Sequence, residues 1–192
     1  MKPPLILASA SPRRRRLLED AGYPLDIDPA GIDEPDPAPG THPQGHAALL
    51  AFQKALAVAA RRDRGLILAA DTLCAVGDQI LNKPLDRDDA ERMIQLQEGR
   101  DTQVITGLCL FRADDSLFVG AIETSIVHMR PLSQAERAAH LDSERWRGKA
   151  GAYGVQDDDP FVSVARGSFS NVVGLPMERL ADLLATHPRL TR

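Results

Sequence analysis

Aromatic side chains are scarce in this chain of 192 residues, where they make up 4% of the sequence. Proteins that bind single-stranded nucleic acid stack the bases on aromatic rings, so this scarcity argues against that class. Proteins that bind duplexes usually carry a broad basic face, whereas the formal net charge here is −4. We therefore expect no nucleic-acid partner.

Cysteines and long apolar runs are also few. The two cysteines, Cys74 and Cys109, lie far apart and lack the spacing of a zinc site, which is typical of buried thiols in a reducing compartment. No segment approaches the roughly 20 apolar residues of a membrane-spanning helix. The first apolar run, Leu5–Ala8, is too short for a signal peptide. The sequence therefore predicts a cytoplasmic protein with no membrane partner.

Several common catalytic signatures are missing as well. The chain has no phosphate-binding Gly-x-x-x-x-Gly-Lys-Ser/Thr and no dinucleotide-binding Gly-x-Gly-x-x-Gly. It also lacks His-Glu-x-x-His and Gly-x-Ser-x-Gly. The absence of these motifs argues against four classes of enzyme: P-loop enzymes, dinucleotide-dependent enzymes, zinc proteases and serine hydrolases of the usual kinds.

A cluster of arginines is the most informative feature that is present. Ser11 is a preferred N-cap and Pro12 a preferred first helical residue, so a helix should begin here. Its first turn carries Arg13–Arg16, although positive charge is disfavoured at a helix N-terminus. A polyanionic ligand such as phosphate would remove this conflict.

The four arginines divide into two pairs by their helical neighbours. Arg15 and Arg16 each have an acidic residue four positions later, which predicts ordinary pairs on the helix surface. Arg13 and Arg14 have leucines at that spacing instead. We expect Arg13 and Arg14 to face a cleft; the alternative is a basic surface turn.

Apolar segments of strand and helix length alternate along the chain, though not as a strict series of βαβ units, which predicts an α/β fold with a mixed sheet. We expect a single domain over residues 1–192, with a frayed tail at 187–192. Predicted strands cover 4–8, 65–70, 73–76, 79–81, 102–111, 118–129 and 161–165; predicted helices begin near Pro12, Pro43, Asp86, Ser133 and Gly174; and 167–171 is predicted to be a polar loop.

Asp71 is the strongest catalytic candidate among the acidic residues. It follows a run of apolar residues, and ligands of α/β sheets gather at the carboxyl ends of strands. A carboxylate in that position can hold a divalent ion or accept a proton from water. The alternative is an aspartate that caps the following turn.

Lys54 and Lys83 are candidate phosphate contacts. Lys54 lies on an otherwise apolar helical stripe, which predicts that it points inward. Lys83 precedes Pro84, which favours an extended backbone at the lysine. Glu34, in a loop rich in proline, glycine and aspartate, is a candidate metal ligand beside Asp71. Solvated surface lysines and a solvated loop acid are the alternatives.

Taken together, five segments resemble the Maf family of nucleotide pyrophosphatases. They occur in the family's order over nearly the whole chain: Leu7–Arg14, Ala70–Thr72, Lys83–Pro84, Lys149–Gln156 and Gly167–Pro176. The resemblance implies a mixed, twisted sheet with flanking helices and two lobes around a nucleotide cleft, similar to inosine triphosphatases. It also implies hydrolysis of nucleoside triphosphates to the monophosphate and pyrophosphate. For this reaction we expect a divalent cation (Mg²⁺ or Mn²⁺) as cofactor, because such an ion bridges phosphate oxygens and lowers the pKa of a bound water.

The resemblance also implies roles for individual residues. Asp71 matches the family's proposed general base. That Asp71 and Glu34 hold a divalent ion is our own expectation, from their carboxylate side chains. The branch that acts on dTTP and UTP has Arg, Thr and Gln at the positions of Arg13, Thr72 and Gln156, whereas the branch that acts on 7-methyl-GTP has Trp, Gln and Glu. Together with the candidates named above, the residues expected to bind substrate are Ser9, Arg13, Arg14, Lys54, Thr72, Lys83 and Gln156.

Two positions depart from the family pattern: Gln53 stands where Glu is frequent, and Asp157 where Gly is usual. The alternatives to a dTTP/UTP pyrophosphatase are a 7-methyl-GTP-type enzyme and a non-catalytic nucleotide-binding regulator linked to septum formation. For the assembly, a homodimer is the candidate, because dimers are the commonest oligomers.

Overall fold

The computed structural model describes residues 2–34, 37–38, 40–155 and 160–191. Its strands are β1 (Leu5–Leu7), β2 (Leu25–Ile27), β3 (Leu66–Val76), β4 (Gln79–Leu81), β5 (Arg100–Arg112), β6 (Leu117–Met129) and β7 (Val162–Arg166). They form one seven-stranded sheet in the order β2-β1-β3-β5-β6-β7, with β4 paired to β3. β1 runs parallel to β2 and β3, and the other pairs are antiparallel. The predicted mixed α/β fold is thereby confirmed.

The helices are α1 (Pro12–Asp20), α2 (Pro43–Ala59), α3 (Arg87–Gln97), α4 (Gln134–Asp142), α5 (Phe169–Val173) and α6 (Met177–Thr186). Local signals explain where several of them begin. The Ser11 side chain caps α1, with Pro12 in the first turn, and Ser133 and Glu136 form a reciprocal capping box at α4. These starts agree with the sequence because capping depends on residues within one turn. None of the helices in the described segments is both long and apolar enough to cross a membrane.

Apolar residues on both faces of the sheet are covered by helices. On one face, α2 packs over alternate residues of β3 and β5, including Ile67, Ala69 and Cys109. On the other face there are two separate clusters. One cluster joins α1 and α6 to the start of β3, and the other joins α3 and α4 to its end. These two clusters are the cores of two lobes, and the middle of β3 lies between them.

The prediction that Asp71 closes its strand is wrong. β3 continues to Val76, and Asp71 and Thr72 pair with Gly107 and Thr106 of β5. A polar residue ends a strand only if no other strand pairs with its backbone. Here β5, which is distant in the sequence, pairs with both residues.

Two further predictions about the C-terminal region need correction. Within the predicted polar loop, Phe169 begins the short helix α5. The segment expected to fray forms a 3-10 helix over Pro188–Thr191. Leu190 is 2% exposed and packs into the core beneath α6, so its side chain anchors this segment to the domain.

One edge of β3 is only partly covered. β1 pairs with β3 as far as Leu68, and β4 pairs with it from Cys74 onward. Among the described strands, none pairs with the edge between these points, where Asp71 and Thr72 lie. Consecutive side chains of a strand point to opposite faces, so Asp71 points towards α2 and Thr72 towards the two lobes. This unpaired stretch of the β3 edge is called the sheet gap below. Both side chains can be reached from a single opening at this gap.

Candidate active site

A cavity of about 950 Å³ opens at the uncovered edge of β3. Every described substrate, catalytic or metal candidate lines it: Ser9, Arg13, Arg14, Glu34, Lys54, Asp71, Thr72 and Lys83. The remaining candidate, Gln156, lies outside the described residues, as does Asp157. Segments distant in the sequence therefore converge on one cavity, and the carboxyl group of Asp71 shares it with the arginines of α1.

Lys54 bridges the two acidic residues of the cavity. It is 7% exposed, which confirms the prediction that it points inward. Its Nζ donates a hydrogen bond of 2.6 Å to Asp71 Oδ1 and lies 2.7 Å from Glu34 Oε1. Lys83 Nζ lies 3.8 Å from the other oxygen of Glu34. The two carboxylates are thus held close together by one shared cation.

A close approach of α2 to β5 brings Lys54 to this position. A Cβ atom added at Gly107 would lie 2.3 Å from the carbonyl oxygen of Ala47 in α2, so the backbones touch where β5 has no side chain. Gly107 is the cross-strand partner of Asp71. Lys54 lies about two helical turns beyond Ala47, on the same side of the helix, and therefore also points at the sheet.

The pKa of Glu34 lies below its ordinary value. Partial burial raises this pKa, but the hydrogen bond and charge of Lys54, together with the charges of Lys83 and Arg14, outweigh that effect. Glu34 is therefore a carboxylate at neutral pH and presents hard oxygen ligands to the cavity.

On the other side of the gap, Arg14 is held by neutral groups. Its Nε donates to Gly174 O at 2.8 Å, its Nη1 to Ser9 Oγ at 3.1 Å, and its Nη2 to Thr72 Oγ1 at 3.1 Å. No carboxylate in the described segments lies within 4.0 Å of this guanidinium. An oriented cation without an acidic partner is suited to receive an anionic ligand.

The pKa of Arg14 is lowered mainly by burial, and the positive charge of Arg13 lowers it further, while Asp71 and Glu34 act in the opposite direction. An arginine side chain remains charged near neutral pH even so. The site thus keeps a buried positive charge. Burial of this charge is unfavourable, and a bound anion would compensate for it.

The outer arginines behave as the helical spacing predicts. Arg15 Nε lies 2.7 Å from Glu19 Oε1, and Arg16 Nε lies 3.6 Å from Asp20 Oδ2, with all four side chains largely exposed. The division of the cluster into two surface pairs and two residues that face the cavity is confirmed.

The Thr72 hydroxyl has three protein neighbours. Besides Arg14, its oxygen lies 2.9 Å from Thr106 Oγ1 and 3.3 Å from Gly174 O. The hydroxyl thus supports the Arg14 guanidinium, and a contact between Thr72 and the base stays a prediction. Sequence reasoning missed Thr106. The sequence feature that could have pointed to Thr106 is its position as a threonine inside the apolar run from Val104 to Leu108.

Largely apolar side chains form another wall of the cavity, and none of them was assigned a role in the site from the sequence. They share the face of Thr72 or come from the segments packed on it: Cys74, Val104, Tyr153, Val155 and Val172. Burial raises the pKa of Cys74 to about 12, so this thiol is not a nucleophile at neutral pH. The wall suits a flat, partly apolar group such as a nucleobase.

The donor set fits a hard divalent cation. Glu34 and Asp71 offer carboxylate oxygens, which Mg²⁺ and Mn²⁺ prefer. The described residues contain no group of three histidine, cysteine or acidic side chains that could enclose an ion by themselves. Mg²⁺ typically uses one or two carboxylates together with substrate phosphates, and this pair matches that pattern.

Comparison with known proteins finds relatives over nearly the whole chain. The family described as Maf-like protein matches residues 4–187. A dTTP/UTP pyrophosphatase of Rhodopirellula baltica is 47% identical over 94% of this chain and 80% of its own length. A dTTP/UTP pyrophosphatase of Caulobacter vibrioides is 44% identical over 95% of each chain.

Among solved structures, a nucleoside-triphosphatase / dITP/XTP pyrophosphatase of Mycobacterium abscessus aligns with 99% of this chain and 96% of its own. The identity is 17% and the TM-score 0.43, a likeness too weak to carry a conclusion. The similarity to inosine triphosphatases therefore stays a prediction. The family match and the identities over nearly the full length show that this chain belongs to the Maf-like protein family.

Proposed function

We propose that this protein hydrolyses nucleoside triphosphates at the α-phosphorus, releasing the monophosphate and pyrophosphate, with dTTP and UTP as its preferred substrates. The observation that carries the proposal is one cavity with a carboxylate, Asp71, on one side of the sheet gap and a guanidinium, Arg14, on the other, which has no acidic partner among the described residues. The dTTP/UTP pyrophosphatase names of the full-length relatives support the substrate class.

The phosphate chain binds to the cations of the cavity in this proposal. Arg14 offers a preoriented guanidinium, and Arg13 and Lys83 line the same cavity. Each of these contacts neutralises charge on the triphosphate, and the charge that develops on the departing pyrophosphate is stabilised in the same way.

Asp71 acts as the general base. Its carboxylate accepts a proton from a water molecule as the water oxygen attacks the α-phosphorus; the bond to the bridging oxygen breaks and pyrophosphate leaves. Lys54 donates to Oδ1 of Asp71 at 2.6 Å and so orients the carboxyl group, leaving the other oxygen for the water. Asp71 is 6% exposed, so bulk water is largely kept away from it.

Glu34 and Asp71 are the residues that would hold a divalent cation. When bound, such a cation neutralises phosphate charge and polarises the phosphoryl oxygens. Lys54 contacts one oxygen of each carboxylate, so a cation at this pair would be held by the other oxygen of each.

The base is selected by Arg13, Thr72 and Gln156 in this proposal, as the resemblance implies. The apolar wall beside Thr72 accommodates the ring. A Gln amide can both donate to and accept from a pyrimidine edge, which is consistent with preference for thymine and uracil.

A panel of nucleotides tests the proposal. The purified protein is incubated with dTTP, UTP, dCTP, GTP and 7-methyl-GTP, with and without Mg²⁺ or Mn²⁺, and pyrophosphate is measured. We expect release from dTTP and UTP that depends on the metal. Faster release from 7-methyl-GTP would refute the substrate preference, and saturable binding without any release would favour a regulatory function.

The Asp71→Asn variant tests the mechanism. Removing a positioned general base slows a reaction by roughly 10²–10⁴-fold, and we expect a loss of kcat in that range with the circular-dichroism spectrum unchanged. A folded Asp71→Asn protein with near-normal kcat would exclude Asp71 as the base.

A further inference from the structure

We propose that Thr106 is a positioning residue, which holds the Thr72 hydroxyl and, through it, orients the Arg14 guanidinium towards the substrate's phosphate. This inference rests on the proposed function. Thr106 does not line the cavity and is fully buried, so it acts only through its neighbours.

The three side chains form a short hydrogen-bonded chain. Arg14 Nη2 lies 3.1 Å from Thr72 Oγ1, and Thr72 Oγ1 lies 2.9 Å from Thr106 Oγ1. Thr72 and Thr106 are direct cross-strand partners on β3 and β5, so the two hydroxyls face each other on the same side of the sheet. The rigid ladder between these strands fixes the distance between them.

The direction of each bond follows from the groups involved. A guanidinium only donates, so Thr72 Oγ1 accepts from Arg14 and must direct its own hydrogen elsewhere. The candidates are Thr106 Oγ1 at 2.9 Å and Gly174 O at 3.3 Å. Gly174 O already accepts from Arg14 Nε at 2.8 Å. Thr106 is therefore the closer and less occupied partner of the Thr72 hydroxyl.

The far end of the chain is anchored in the buried interior. Thr106 Oγ1 lies 3.5 Å from the carbonyl oxygen of Asn171 in α5. The Asn171 side chain donates to Val104 O and to Ser125 Oγ, each at 3.0 Å. Gly174, the C-cap of the same helix α5, accepts a hydrogen bond from Arg14 through its carbonyl oxygen. Two of the groups that accept from Arg14 are thus tied to α5: Gly174 O directly, and the Thr72 hydroxyl through Thr106.

Thr102 provides a matched control. It lies on β5 four residues before Thr106 and therefore on the same face, and it is 1% exposed. Its hydroxyl has no hydrogen-bond partner among the described residues. Replacing either threonine by valine makes the same chemical change in the same strand, but only at Thr106 does it remove a link to Arg14.

Binding of inorganic tripolyphosphate, measured by calorimetry, tests the inference without turnover. We expect Thr106→Val to weaken this binding and to raise KM for dTTP by about two- to tenfold, the effect of one neutral hydrogen bond. We expect a smaller change in kcat. Thr102→Val and Thr106→Ser should bind tripolyphosphate as the unchanged protein does.

A double variant separates positioning from general destabilisation. If Thr106 acts through Thr72, then Thr106→Val should cause no further loss of affinity in a Thr72→Val background. Should Thr106→Val fold poorly by thermal melting, Thr106→Ala serves in its place. An equal loss in both backgrounds, or a loss no larger than that of Thr102→Val, would overturn the inference. Tripolyphosphate binding without pyrophosphate release would instead refute the proposed function and leave this test valid.

Discussion

Replacing Gly107 with alanine is expected to push α2 away from the sheet. The added Cβ would lie 2.3 Å from Ala47 O, 2.5 Å from Ala47 C and 2.7 Å from Ala48 N, and all three are backbone atoms that no rotamer change can move. Relief to an ordinary contact of 3.4 Å needs a shift of about 1 Å, and overpacking of this kind costs about 1–3 kcal/mol.

The same displacement should reach the candidate active site. Lys54 lies about two turns beyond Ala47 in α2 and is 2.6 Å from Asp71, so a shift of α2 disturbs the orientation of the carboxyl group. A misplacement of about 1 Å can reduce catalysis by about 10²-fold. We therefore expect Gly107→Ala to lower kcat for dTTP as well as stability.

Thermal melting and pyrophosphate release measure the two effects. For a chain of this length, each kcal/mol of destabilisation lowers the melting temperature by about 2–4 °C. Gly120→Ala in β6 is the control, because its added Cβ would meet nothing closer than Leu108 O at 3.4 Å. If Gly107→Ala melts and turns over like Gly120→Ala, the close approach of α2 does not position Lys54.

Three other substitutions give separate tests. Lys54→Met leaves the buried Asp71 carboxylate without its cation, so we expect a destabilisation of about 3–5 kcal/mol in urea unfolding; an unchanged midpoint would contradict the bridge. Leu190→Ala should cost about 2–5 kcal/mol by the same assay, and no cost would mean that the C-terminal 3-10 helix is not anchored. The hydrogen bonds from Arg130 and Ser133 lower the pKa of Glu136 from 4.5 to about 2. The stability that Glu136 contributes is therefore present above about pH 4.5 and lost towards pH 2; relative to Glu136→Gln, an excess melting temperature that does not shrink over that range would refute it.

Local signals in the sequence predicted the elements well where neighbours along the chain decide the structure. The start of α1 at Pro12 follows from the Ser11 cap, and the outward pairs of Arg15 and Arg16 follow from a spacing of four residues. The inward direction of Lys54 follows from its apolar stripe. Each of these depends on contacts within one or two helical turns.

Prediction failed where distant segments decide the structure. Asp71 was expected to end a strand, but β5, more than thirty residues later, continues the ladder past it. Leu190 was expected in a frayed tail, but the core beneath α6 buries it. Thr106 was missed because its contact with Thr72 depends on strand pairing that the sequence does not reveal.

By itself, the sequence determined the family, the alternation of strands and helices, and the residues that supply charge to the site. These follow from residue type and from interactions between close neighbours in the chain. Only the tertiary structure decided that no described strand covers β3 between β1 and β4, that Asp71 and Thr72 reach one cavity from opposite faces, and that Lys54 joins Asp71 to Glu34. The reason is physical: these features depend on strand register and on the approach of α2 at Gly107, which arise when segments far apart in sequence pack together.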